Sequence, residues 1–170
     1  MTANPLLQPY ATPFGAPPFD AIRPEHFRPA FDAAIGEQKA AVAAITAGGE
    51  PTFQNTIVAM EKSGMALERI AAAFFTLAGA HSNDDIEAIE RDIAPVLSRH
   101  GSEISLNPAL FARIDALHKG RERLGLDAEQ MRVLERYHTI FVQAGAMLDA
   151  EGKQRLATIN ERLATLGTLF

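Results

Sequence analysis

The chain of 170 residues is 47% hydrophobic and 22% charged, with a net charge of −5, a globular balance that excludes a disordered polymer. Its basic residues are scattered among acids rather than gathered in a stripe, which excludes a nucleic-acid partner, and the absence of cysteine excludes disulfides and thiol chemistry. No run of about 18 apolar residues exists, so no membrane partner is expected. The first twenty residues lack the basic-then-apolar pattern of a secretory signal. A cytoplasmic location is expected.

Residues 1–24 read as an extended arm. Pro5, Pro9, Pro13, Pro17, Pro18 and Pro24 are too dense for a helix or a central strand. Leu6, Leu7, Tyr10, Phe14, Phe19 and Ile22 are interleaved with them, which predicts an ordered strap anchored on helices by its aromatic residues. Residues 25–170 read as one helical domain. Ala, Leu, Glu and Arg are abundant, and all favour helix. Alternating Val/Ile/Thr/Tyr runs are missing. The expected fold class is all-α, a bundle of about six antiparallel helices with no β-sheet.

The first helix is predicted from about Arg28 to Ala47, with Pro29 at its first position, a stripe of Phe31, Ile35, Val42 and Ile45, and a stop at Gly48, Gly49 and Pro51. The second spans about Asn55 to Ala80. It carries a small column (Gly64, Ala71, Ala78) beside a large one (Met60, Leu67, Phe74), which lets a neighbouring helix approach closely; Ser63-Gly64 is a candidate bend. The third opens at the N-cap Asn83, with Asp84 and Asp85 at the positive end of the dipole. Its stripe is Ile86, Ile89, Ile93, Val96 and His100, and Pro95 predicts a kink. The fourth opens at Asn107-Pro108, buries Leu110, Phe111, Ile114 and Leu117, and stops near Gly125.

The fifth opens with the capping box Asp127…Gln130 and presents Val133, Leu134, Tyr137, Ile140, Phe141, Ala144 and Leu148. The sixth follows Asp149, with Leu156, Ile159, Leu163, Leu166 and Phe170 spaced three-four-three-four. The short link predicts that helices five and six form an antiparallel hairpin. The apolar repeat runs into Phe170 with no glycine, proline or basic cap, so the last helix is expected to continue into further polypeptide.

Candidate chemistry is sparse. Zinc hydrolysis on a helix needs His-Glu-x-x-His, and His26, His81, His100, His118 and His138 include no pair at that spacing. A di-iron bundle needs Glu-x-x-His from two helices. Glu135-x-x-His138 matches once and Asp115-x-x-His118 is a shortened relative, but Arg113, Lys119, Arg132 and Arg136 surround them as surface charges do. His81-Ser82-Asn83-Asp84-Asp85 reads as capping, His100 as a hydrogen-bonded core histidine, and Glu25-His26 as a cap or local bridge. There is no Gly-x-Ser-x-Gly and no Gly-x-x-x-x-Gly-Lys.

Several stretches resemble a known family. Gly15-Ala16-Pro17-Pro18-Phe19-Asp20 followed by Pro24-Glu25-His26-Phe27-Arg28-Pro29-Ala30-Phe31, and Phe53-Gln54-Asn55-Thr56-Ile57-Val58-Ala59-Met60-Glu61-Lys62-Ser63-Gly64, resemble the start of bacterial peptidyl-dipeptidases of the thimet-oligopeptidase family. Ala80-His81-Ser82-Asn83-Asp84, Leu110-Phe111-Ala112-Arg113-Ile114 and Ala144-Gly145-Ala146-Met147-Leu148 are similar in order. The resemblance favours the peptidyl-dipeptidase branch over the oligopeptidase A branch. It implies a helical two-lobed enzyme around a deep channel. Zinc is held there by His-Glu-x-x-His and a downstream Glu, and the motif's Glu activates water. Such enzymes release C-terminal dipeptides from short peptides.

None of those positions maps onto residues 1–170. Catalytic, cofactor-binding and metal residues are therefore all expected to be none here, with zinc in the parent enzyme. The expected partners are a C-terminal catalytic part of the same chain and, in the parent, short peptides. This part is expected to form a channel wall that limits substrate size. The alternatives are a stand-alone helical interaction module with no enzymatic role and a small metal bundle built on Glu135, His138, Asp115 and His118.

Overall fold

A computed structural model describes residues 4–168 of the chain. Six helical stretches fill it, the second in two pieces, and no strand occurs among the described residues. The helices are α1 (Phe27–Ala47), α2 (Ala59–Ser63), α3 (Met65–Ala80), α4 (Asp84–Ser105), α5 (Pro108–Gly120), α6 (Ala128–Gln143) and α7 (Ala150–Gly167). A single π-helical turn, Phe53–Val58, leads into α2.

The boundaries follow from side chains that satisfy the free N–H groups of each first turn. Asn83 Oδ1 accepts from the Ile86 N–H at 3.1 Å, Asn107 from Leu110 at 3.0 Å, and Asp149 from Gly152 at 2.8 Å. Asp127 and Gln130 form the reciprocal box, at 2.8 and 3.3 Å. A second box, Thr52 with Asn55, opens the π-helical turn. Glycine matters most at Gly145. Its φ of +94° ends the α6 turn, and an added Cβ would lie 2.7 Å from Leu156 Cδ2.

Two apolar clusters share α1. The first joins Leu6 and Ile22 of the arm to Phe27, Phe31, Phe74, Ile86 and Ile93. Phe74 lies edge-on to Phe27 and Phe31, with ring centroids 5.0 and 5.6 Å apart, the arrangement aromatic quadrupoles favour. The second joins Val42 and Ile45 at the far end of α1 to Ile57, Leu110, Ile114, Leu134 and Phe141. Each such side chain contributes about 1.5–3 kcal/mol through burial.

The structure corrects several details. Leu6 and Ile22 are the arm's buried side chains, and among its aromatics Tyr10 is partly covered while Phe14 and Phe19 are exposed. Phe14 is fully exposed on a turn of positive φ (+60°), while Tyr10 reaches the Arg69 guanidinium at 5.0 Å. Pro29 is the third residue of α1 rather than the first, still within the turn whose N–H groups lack partners. The second stretch breaks at Gly64, within the Ser63-Gly64 pair that the sequence marks as a bend, so this expectation holds. α4 carries Pro95 inside it, as its sequence places it. α5 ends at Gly120, and α6 ends at Gln143 rather than reaching Leu148.

α7 does not form a hairpin with α6. It packs along α4, where Arg99 meets Glu161 at 2.5 Å and Asn160 Nδ2 donates to Ser102 Oγ at 3.4 Å. The turn set by Gly145 redirects the chain, so a short connection did not make sequence neighbours into spatial neighbours. The expected continuation at Phe170 lies outside the described residues.

Candidate functional site

Polar chemistry gathers at three places. The first is a ladder of rings between α5 and α6. Phe141, buried in the second cluster, stacks on Phe111 at 6.5 Å and an interplanar angle of 10°. Phe111 meets His138 at 5.7 Å, and His138 stacks on His118 at 3.9 Å and 9°. His138 Nε2 lies 3.2 Å from Asp115 Oδ1, and Lys119 Nζ lies 2.6 Å from Asp115 Oδ2. Glu135 faces Arg121 at 3.9 Å and Arg132 at 3.8 Å.

The structure therefore brings together Asp115, His118 and His138, and leaves Glu135 to the arginines. Lys119, chiefly by its hydrogen bond, and then His138 hold the Asp115 carboxyl below the usual range. Burial, then His138 and Arg121, lower the His118 imidazole. Two unit charges about 4 Å apart repel by about 4 kcal/mol in a medium of surface-like dielectric, so a charge on either ring opposes a charge on the other.

The second place is Arg113. Read from sequence among surface charges, it is only 9% exposed. Its Nη1 donates to the carbonyls of Gly48 at 3.0 Å and Gly49 at 2.7 Å, its Nη2 to Asn55 Oδ1 at 3.0 Å, and its Nε to Thr56 Oγ1 at 3.3 Å. A cation thus caps the negative end of α1 and ties it to the π-helical turn. The signal was available: Arg113 sits one position before Ile114 and three after Leu110, on the apolar stripe of α5.

The third place is a groove of about 360 Å³ between α1, α3 and α4, lined by Gln38, Gly64, Leu67, Ala71, Leu97 and His100, among others. His100 is the hydrogen-bonded core histidine its stripe predicted. It is 4% exposed, with Nε2 2.8 Å from Gln38 Oε1. Burial and then Lys39 lower its pKa, against Glu103. Gly64 and Ala71 of the small column line this groove, and Gln38 Nε2 lies 3.0 Å from where a Gly64 Cβ would stand. The remaining candidates are local caps. His26 Nδ1 accepts from the Arg23 N–H at 3.0 Å. His81 closes α3, its N–H donating to the Leu77 carbonyl at 2.7 Å. Ser82 Oγ donates to Glu87 at 3.3 Å.

Among the described residues, no group of three His, Cys, Asp or Glu side chains could hold an ion. The imidazoles at positions 118 and 138 meet face to face instead of converging, and both Asp115 oxygens are engaged. The di-iron reading of Glu135, His138, Asp115 and His118 fails on this geometry. Burial, reinforced by Glu61, raises the Tyr137 phenol, so it stays protonated near neutral pH. No helix among the described residues is long and apolar enough to cross a membrane.

This helical body is matched along its length by parts of known peptidases. It is 41% identical over 170 residues to dipeptidyl carboxypeptidase of Escherichia coli (strain K12), covering 99% of this chain and 25% of that protein. The chain is homologous to the N-terminal region of peptidases of the thimet-oligopeptidase family. The dipeptidyl carboxypeptidase of Salmonella typhimurium (strain LT2) is 40% identical over 100% of the chain and 25% of its own length. Oligopeptidase A of the same organism is 28% identical over 98% of the chain and 24% of its own length. The higher identities fall on the branch favoured by the sequence resemblance. The chain spans about a quarter of the curated relatives it matches. No family model matches it.

Proposed function

We propose that these residues are the N-terminal, non-catalytic helical part of a zinc-dependent peptidyl-dipeptidase that releases C-terminal dipeptides from short peptides in the cytoplasm. The carrying observation is 41% identity that runs through 99% of this chain yet amounts to a quarter of a dipeptidyl carboxypeptidase. The residues here do not fit zinc, so the metal and the water it activates belong to a later part of the parent. The chain's own contribution is mechanical. Two packed clusters give a rigid helical wall, and a wall beside a channel admits thin, flexible peptides while excluding folded proteins.

The experiment is to extend the reading frame past codon 170, express the full product and assay it on short peptides. Dipeptide release abolished by a chelator, with a His-Glu-x-x-His in the extension, is the expected result. An extension without that motif, or a product without peptidase activity, overturns the reading. Size selection is tested separately. A full-length variant loosened at α7 but still folded should cleave larger substrates, and an unchanged size limit removes the gating role.

The exposed Ile159, Leu163 and Leu166 on α7 favour a surface that meets other polypeptide. They also suit a stand-alone interaction module. That alternative gains if the extension carries no hydrolase motif.

A further inference from the structure

We propose that the ring ladder between α5 and α6 is a proton-operated latch, closed while at most one of His118 and His138 is charged and opened when both are. The case rests on geometry. The two imidazoles lie 3.9 Å apart and nearly parallel, so each shields one face of the other from water. The stack continues through Phe111 into Phe141, a core residue of the second cluster. A change at the outer rung is thereby mechanically joined to the packing of α5 on α6.

The charged groups around the pair set the order of events. Asp115 and Lys119 face it from α5, Arg121 from the turn after α5, and Glu135 with Arg132 from α6. The π-helical turn packed against both helices, Phe53–Val58, supplies no titratable group. His138 Nε2 lies within hydrogen-bond reach of the Asp115 carboxylate, so an N–H at that atom donates to it. Asp115 keeps its charge under mild acid because Lys119 also binds it. A proton on His118 is opposed by burial, by the parallel His138 ring and by Arg121, whose Nη1 donates to the His118 carbonyl at 2.9 Å. Glu135 offsets this weakly, because two arginines already engage it. Parallel cationic rings separate, and Phe111 loses the rung that covers it.

The test is hydrogen–deuterium exchange on the whole 170-residue chain between about pH 7 and about pH 5, corrected for intrinsic exchange rates. The latch predicts that segments in α5 and α6 exchange about tenfold faster at the lower pH, with the change concentrated between Phe111 and Phe141. H118F keeps an aromatic rung that cannot be charged, and it should retain protection at both pH values. Unchanged exchange of α5 and α6 in the native chain overturns the proposal. So does a loss confined to α1 and α4, which would belong to His100, or an equal loss in H118F. If far-UV circular dichroism finds H118F unfolded, proton NMR titration of the native chain decides. Two separated imidazole steps, the lower one accompanied by shifts of α5 and α6 amides, support the latch. A single shared step near the free-imidazole value removes it.

Discussion

The Phe74 seam and α7 are both amphipathic helical surfaces, yet they have opposite fates. Around Phe74, residues from the arm, α1, α3 and α4 converge until Phe27, Phe31, Phe74, Ile70 and Ile93 are sealed from water. α7 carries an equally regular repeat, but none of its described residues is buried, and Leu163 remains 61% exposed. Periodicity identifies the face that wants covering; it does not identify what covers it. In α7 the cover within this chain is partial, supplied by α4 and by an exposed Arg99–Glu161 pair that adds little in water.

The sharpest way to break this contrast is at its tightest point. Phe74→Ala removes a ring from the centre of the first cluster and leaves Phe27 and Phe31 facing a void. It should cost about 3–5 kcal/mol in urea unfolding. A loss below about 1 kcal/mol would mean the seam is no better packed than α7. Next comes Arg113→Met, which keeps most of the side-chain volume but strands the Gly48 and Gly49 carbonyls and the Asn55 and Thr56 side chains. The expected loss is about 2–3 kcal/mol, and Arg113→Lys should recover only part of it, because one ammonium cannot span four acceptors on three sides. Gly145→Ala should cost about 1–3 kcal/mol through backbone strain at positive φ. Its Cβ also meets Leu156, so α7 should loosen before the rest, visible as selective proteolysis within residues 150–167.

Acid sharpens the same contrast. His100 and His118 both have lowered pKa values in the fold, so the unfolded chain binds protons more readily than the folded one. Above about pH 6.5 both states are neutral at these sites and stability is flat with respect to them. Below it the unfolded state gains protons first, and stability falls until pH drops through the folded-state values. Chemical denaturation across pH 5 to 8 should show this slope. His100→Gln, if it preserves the bond to Gln38, should remove its share.

Local signals made much of this legible in sequence. Asn83, Asn107, and Asp127 with Gln130 cap where their residue types predict, because capping depends only on a side chain and the N–H groups two or three positions on. The stripes of α1 and α4 correctly gave Phe31, Ile35, Ile86, Ile93 and His100. What failed was long-range. The partner of α7 depended on the direction Gly145 gives the chain, and the burial of Arg113 depended on the Gly48-Gly49 turn arriving 65 residues away in sequence. In the arm, aromatic size is a poor guide to anchoring, since Tyr10 is partly covered and Phe14 is not. Leu6 and Ile22 fit the gaps between helices, while the positive-φ turn at Phe14 aims that ring outward. Sequence marks the histidine pair as chemistry-bearing, but spacing along two helices does not tell a stack from a set of ligands.

The smallest expected effect bears most directly on what α7 is for. Ile159, Leu163 and Leu166 lie three and four residues apart, on one side of the helix, and all are exposed. Replacing all three with glutamine removes apolar surface that already touches water, and glutamine is as good a helix former as isoleucine or better. In this 170-residue chain the change should stay within about 0.5 kcal/mol per site and should reduce any concentration-dependent self-association measured by light scattering. In the longer peptidase proposed as the parent, the same stripe would lie against further polypeptide, and the triple change should cost about 2–5 kcal/mol per well-buried position. A negligible effect in both settings would leave α7 a solvated helix in the full enzyme too. A large effect in the short chain would mean that the face is already covered here and that the contrast with Phe74 is one of degree. Only a small loss in the short chain and a large one in the long chain fits a helix whose second side is completed by another part of the same protein.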